Sequence, residues 1–162
     1  LDPEIEDKVA EIANTPLEKR FYLVRKLGLA ITLLIEAFGE NSKWKWSFVE
    51  LEGRYATVAK NFIDMKTAGR DFMDPRSFDY ETTVLYIRLI TKLLNSAATS
   101  YRDKYELATR RIDDMRNAIK YLLALHKLHN LLGQSDQAQE VKKKALVWKD
   151  KMDADHKAGL SN

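Results

Sequence analysis

The chain has 162 residues, 45% of them hydrophobic and 31% charged, and no cysteine. That length fits one domain or two small helical lobes, and the missing thiols exclude disulfides and thiolate metal sites. The net charge of +3 is modest and uneven: −2 over residues 1–75, +4 over 76–132 and +1 over 133–162.

Chain order begins at Leu1, not Met. An exported protein stripped of its signal peptide starts this way, as does a cloned fragment, so the expectation leans towards export. Asp2-Pro3-Glu4 reads as an N-cap, a proline at the first helical position and an acidic first turn. It predicts a short helix to about Ala13, with Ile5, Val9 and Ile12 on one stripe. Thr15-Pro16-Leu17-Glu18 has the form of a capping box and opens a second helix. Its apolar points run Leu17, Phe21, Val24, Gly28, Ile31, Ile35, Phe38, a strict 4-3-4-3 spacing stopped by Gly39 and Asn41. The window Leu27–Ile35 is the most hydrophobic in the chain. It falls well short of the ~20 residues a spanning helix needs, so it predicts a buried core helix and no membrane span.

Trp44, Phe48, Leu51, Tyr55, Val58, Phe62 and Met65 predict a third helix that weakens around Gly69. Asp74-Pro75 with Ser77 closes it and caps the next. From residue 76 to 132 there is neither proline nor glycine. A 4-3-4-3 stripe runs through nearly all of it, from Tyr80 and Val84 to His126 and His129. One helix of that length would measure roughly 85 Å, against a diameter near 40 Å for a compact chain of this size. The expectation is one very long helix, 77–132, or a break in the weak stretch Asn95–Ser100. Gly133 ends the segment, Ser135 caps a fifth helix with Ala138, Val141, Ala145, Trp148 and Met152 on its stripe, and Gly159 begins a frayed tail, 159–162.

No run alternates as a strand does, so the predicted fold is all-α: about five helices in an elongated bundle with coiled-coil-like packing. Short connections make successive helices antiparallel neighbours. The organisation expected is an N-terminal helical bundle, 1–105, and a C-terminal helical hairpin arm, 106–158. The stretch Ile119–Leu125 with Leu128, Leu131 and Leu132 is apolar nearly all round, which calls for a partner: another copy, another protein, or the N-terminal helices folding over it.

The residues carry no catalytic signature. His126 and His129 share a helical face, but the third histidine, His156, falls about 25 to 30 Å away by helical rise, and no Glu-x-x-His pair is present. Asp113-Asp114, Glu50/Glu52 and Asp153/Asp155 diverge on a helix and build no acid–base pair. The basic residues Arg102, Lys104, Arg110, Arg111, Arg116, Lys120 and Lys127, with Lys142-Lys143-Lys144, are interleaved with acids, which disfavours nucleic acid as a partner. Trp46 and Tyr86 fall off the seams and could anchor a partner.

The hairpin around Gly133 resembles half of a tetratricopeptide repeat, through Leu125, Gly133, Ala138 and Ala145. His126, His129, Lys142 and Asp150 depart from that pattern. The uninterrupted stretch Ser77–Leu132 and the return Ser135–Lys157 resemble, in architecture, the flagellar coiling proteins that coat spirochaete periplasmic filaments. That resemblance implies a non-enzymatic coat subunit binding other filament proteins side by side.

The reading is a structural or interaction protein, not an enzyme, with no cofactor, no metal and no small-molecule substrate, whose partners are other proteins or copies of itself. The residues expected at the protein interface are Trp46, Tyr121, Leu125, Leu128, His129 and Leu132. The alternatives are a tetratricopeptide-like peptide-binding adaptor and a small metal-dependent helical enzyme.

Overall fold

The structure is a computed structural model that describes residues 11, 12 and 14–161. The predicted helix Asp2–Ala13 lies almost wholly outside the described residues. Six α-helices follow: α1 Leu17–Phe38, α2 Lys45–Asn61, α3 Met65–Met73, α4 Tyr80–Lys104, α5 Ile112–Leu131 and α6 Ser135–Lys157. A single π-helical turn, Tyr105–Thr109, joins α4 to α5. Among the described residues there is no strand, and the all-α expectation holds.

The stretch 77–132 is not one helix. α4 and α5 are antiparallel: Tyr101 stacks on Tyr121 with ring centroids 5.7 Å apart, Leu94 shares a groove with Leu128, and Ile87 shares another with Leu132. The chain turns at Tyr105–Arg111, not at Asn95–Ser100. In the latter stretch Ala97 and Ala98 are buried against α2. The small residues there are a close-packing surface, which is why that segment stays helical. At the true turn the Arg110 amide bonds back to the Tyr105 carbonyl at 3.0 Å. Arg110 then takes the left-handed conformation, φ 51°, and Arg111 is extended.

Side chains secure this corner. Thr109 Oγ1 donates to Asp114 Oδ2 at 2.6 Å and accepts from the Arg111 amide, while Lys104 Nζ lies 3.2 Å from Asp114 Oδ1. Asp114 is buried, and a buried carboxylate persists only when paired and hydrogen-bonded. The corner supplies both partners.

The third predicted helix is also two. Phe62 and Met65 continue its apolar spacing, but the chain bends between them. Asp64 caps α3 by accepting from the amides of Lys66 and Thr67, satisfying two donors that a helix start leaves orphaned. Three predicted caps are not formed. Thr15 Oγ1 donates backwards to the Glu11 carbonyl instead of capping α1. Ser77 donates to Asp71 while α4 starts only at Tyr80. Ser135 is the first residue of α6, not its cap. Gly133, with φ 68°, does terminate the α5 turn as expected.

α4 is the central helix. It packs against α2, α3 and α1 on one side and α5 on the other, so it buries more than one stripe. Tyr86, assigned above to the exposed flank, is fully buried. Its hydroxyl donates to the Ala59 carbonyl at 2.9 Å, meeting a carbonyl near the C-terminal end of α2. One core cluster joins α1 to α5, with Val24, Tyr55, Ile90, Leu94 and Leu128 among its members. A second joins α2, α4, α5 and α6 around Tyr105, Met115, Leu122 and Trp148. Tyr121 is half-buried and touches both.

Candidate functional site

α1 buries Leu17, Val24 and Ile31 and little else. These are seven residues apart, a single seam. Tyr55 from α2 locks the seam: its hydroxyl donates to the Val24 carbonyl at 2.9 Å, and a Cβ on Gly28 would run into that hydroxyl. Phe21 and Ile35 are half-buried beside that seam, and the opposite side of the helix faces outward. Tyr22, Leu23, Leu29, Leu33, Leu34 and Phe38 are exposed, Leu29 by 59% and Leu33 by 55%. Trp44 continues the patch past the turn, edge-on to Phe38 at 6.5 Å.

This corrects the expectation for Leu27–Ile35. Its composition is that of a core helix, yet only Ile31 is buried there. A helix apolar nearly all round is normally enclosed. Here one side is enclosed and the other is not.

The six predicted interface residues lie elsewhere. Leu125, Leu128 and Leu132 are buried in the first core cluster, packed under α4. His129 is buried too, its Nδ1 donating to Gln134 Oε1 at 2.7 Å. The apolar excess of 119–132 is therefore met largely within the chain, because α4 folds back along α5. Tyr121 is half-buried by its stack on Tyr101. Trp46 is half-buried beside the second cluster, with Lys45 Nζ 5.3 Å from its ring centre. The residues that sequence reasoning missed are the outer ones of α1. Their signal was present in that apolar window, read as core.

His126 also has a local role: Nδ1 donates to the Ala138 carbonyl at 2.8 Å and Nε2 accepts from Asn130. Both imidazoles thus tie α5 to the start of α6. Among the described residues no three His, Asp or Glu side chains gather as a metal site. Burial pushes the Tyr101 phenol up to about 12 and carries Tyr86 beyond the ordinary tyrosine range. Both phenols stay protonated, and the Tyr86 hydroxyl donates to the Ala59 carbonyl.

Several predicted basic residues are spoken for. Lys104 pairs with Asp114, Arg102 with Glu106, Arg110 with Asp155 and Arg116 with Asp113. Lys120 and Lys127 have no acidic partner among the described residues. With Lys60 they line a groove of about 770 Å³ between α5 and the α2–α3 bend.

No described helix is long and apolar enough to cross a membrane. No curated protein and no solved structure matches the chain. An all-helical sequence of this kind matches the TP0443 family over residues 3–156, nearly its whole length, and the chain belongs to that family.

Proposed function

We propose that this protein is a non-enzymatic interaction subunit of a larger protein assembly, and that the outer face of α1 is its docking surface. The observation that carries this is the row of large apolar side chains exposed along α1 and into Trp44. Contiguous exposed apolar surface of this kind marks association sites in soluble proteins, and aromatic residues such as Tyr22, Phe38 and Trp44 are the usual anchors. The seam formed by Leu17, Val24 and Ile31 holds α1 in place without using that face.

A filament-coat role rested on an unbroken strut from Ser77 to Leu132. That segment is folded in two, so the support for the role is removed. The adaptor reading finds a hairpin at Gly133, but the α4-facing side of α5 is filled by the chain's own core.

Sedimentation over a concentration series tests the proposal on the wild type and a Leu29→Asp/Leu33→Asp variant. The wild type is expected to exceed the mass of one chain as concentration rises, and the variant to remain one chain with unchanged helicity. A wild type that stays a single chain throughout, or a variant that associates equally, overturns self-assembly through α1.

A further inference from the structure

We propose that the lysine-rimmed groove beside α5 receives the C-terminal half of α1 and its turn, residues 29–40, from a second copy of this chain. This pairing rests on the docking role of α1 proposed above and adds the surface that α1 meets. The groove's floor is apolar, with Leu94 and Leu128 buried in it, and Ile63 and Met65 line it from the α2–α3 bend. Every charged residue lining it is a lysine: Lys120 and Lys127 on one rim and Lys60 on the other. None has an ion-pair partner among the described residues. Lys120 and Lys127 are two helical turns apart, about 10.5 Å along α5. Cations so spaced along an apolar trough suit a helix with separated carboxylates better than one small anion, the helix-in-groove mode of recognition.

That chemistry is present on the chain's own surface. Between Lys26 and Lys43 the only charged residues are Glu36 and Glu40. Leu29, Leu33 and Glu36 follow at spacings of four and three, so they share one face of α1. All three are exposed, as is Glu40 just past the helix end. Neither carboxylate has an ion-pair partner among the described residues. The nearest lysines in sequence, Lys43 and Lys45, lie over the rings of Trp44 and Trp46 instead. Glu52 of α2 adds to this negative end: burial, and after it the charge of Glu40, holds its carboxyl above the usual range. Arg25 and Lys26 precede this half of α1 and would repel the groove's lysines, which sets its limit at Leu29. The sizes agree as well. From Leu29 to Phe38 α1 rises about 14 Å, and the groove follows α5 for about 16 Å, from Lys120 to Leu131.

The chain cannot seat this half of α1 in its own groove. Leu17, at the start of α1, shares a small cavity with Ile63, and Ile63 also lines the groove. Arg20 Nη1 donates to the Phe62 carbonyl at 3.2 Å, fixing that end of α1 beside the bend. Leu29 lies about 18 Å further along the helix. Ridge and groove are therefore different patches, and their contact between copies is heterologous, closing as a ring or continuing as an open chain. Pairing α1 with α1 would leave the groove and its three lysines uncovered.

Charge reversal tests the pairing, read by sedimentation over a concentration series. The proteins are wild type, Lys120→Glu/Lys127→Glu, Glu36→Lys/Glu40→Lys and an equimolar mixture of the two variants. All four positions are exposed, so both variants should keep wild-type helicity. Each variant alone should associate about tenfold more weakly than wild type, the scale of reversing two exposed ion pairs. The mixture should regain wild-type association, because each variant's ridge then meets a groove of opposite charge. A misfolded variant could not be rescued in this way. Association that is lost in Leu29→Asp/Leu33→Asp but indifferent to Lys120→Glu/Lys127→Glu, or that fails to recover in the mixture, overturns the groove and leaves α1 as the docking surface. A wild type that stays a single chain throughout overturns this pairing together with self-assembly through α1.

Discussion

At Gly28 and Gly53 a hydrogen replaces a side chain because an aromatic ring occupies the space. A Cβ at Gly28 would meet the Tyr55 hydroxyl, and one at Gly53 would lie 2.8 Å from both the Tyr101 ring and the Tyr121 hydroxyl. Tyr55 is buried and cannot swing into solvent without breaking its bond to the Val24 carbonyl. Gly28→Ala should therefore destabilise the fold by about 1–3 kcal/mol, as overpacking does, despite alanine's better helix propensity. Urea denaturation measures it, and a stabilised Gly28→Ala protein would mean that the α1–α2 contact is looser than described. Asp155 is a second telling residue. The Tyr105 hydroxyl donates to it at 2.9 Å, and Lys151 and Arg110 lie beside it. Together they hold its carboxyl below the usual carboxylate range. A depressed folded pKa stabilises fully above the unfolded value of about 3.9 and loses that stabilisation as pH falls through the folded value. The melting temperature of wild type should thus drop more steeply below pH 4 than that of Asp155→Asn, whose profile lacks this group. Parallel profiles would count against the pairing.

Among the elements, α1 and α5 exchange the roles their compositions suggest. Both contain long apolar runs. α5 is enclosed because α4 folds back along it and α6 covers another side. α1 sits at the margin and meets neighbours along one seam. Leu125→Asp should cost about 4 kcal/mol or more, since it places a charge in the core. Leu29→Asp/Leu33→Asp should stay within about 1 kcal/mol of wild type, an exposed-helix propensity effect. Thermal unfolding of the two proteins separates the assignments, and equal losses would place α1 in the interior. Periodicity made α1, α2 and α6 legible and ran α4 and α5 together as one stripe, while Gly39 and Gly133 marked the ends of α1 and α5. The bend at Phe62–Asp64 was hidden because Phe62 and Met65 keep the apolar spacing across it, even though Asp64 and Thr67 form a good cap.

For the whole molecule, the decisive event is the reversal at Tyr105–Arg111. The longest helix is then α4, whose 25 residues span about 37 Å. Small-angle scattering of the Leu29→Asp/Leu33→Asp monomer should give a radius of gyration near 15 Å and a maximum dimension of about 50 Å. A value approaching 85 Å would restore the continuous helix and, with it, the strut.

What the sequence determined by itself is local. Helix content and apolar stripes follow from spacings of three and four residues, and most connections from glycine and proline; each depends on the chain's immediate neighbours. The tertiary structure decided which apolar face is covered and where the 57-residue run turns. Burial is a property of the packed neighbour, not of the residue. Leu125 and Leu29 look alike in sequence, but one lies under α4 and the other faces outward. The turn required Asp114, Lys104 and Thr109 to meet across a corner, a geometry that no linear spacing announces.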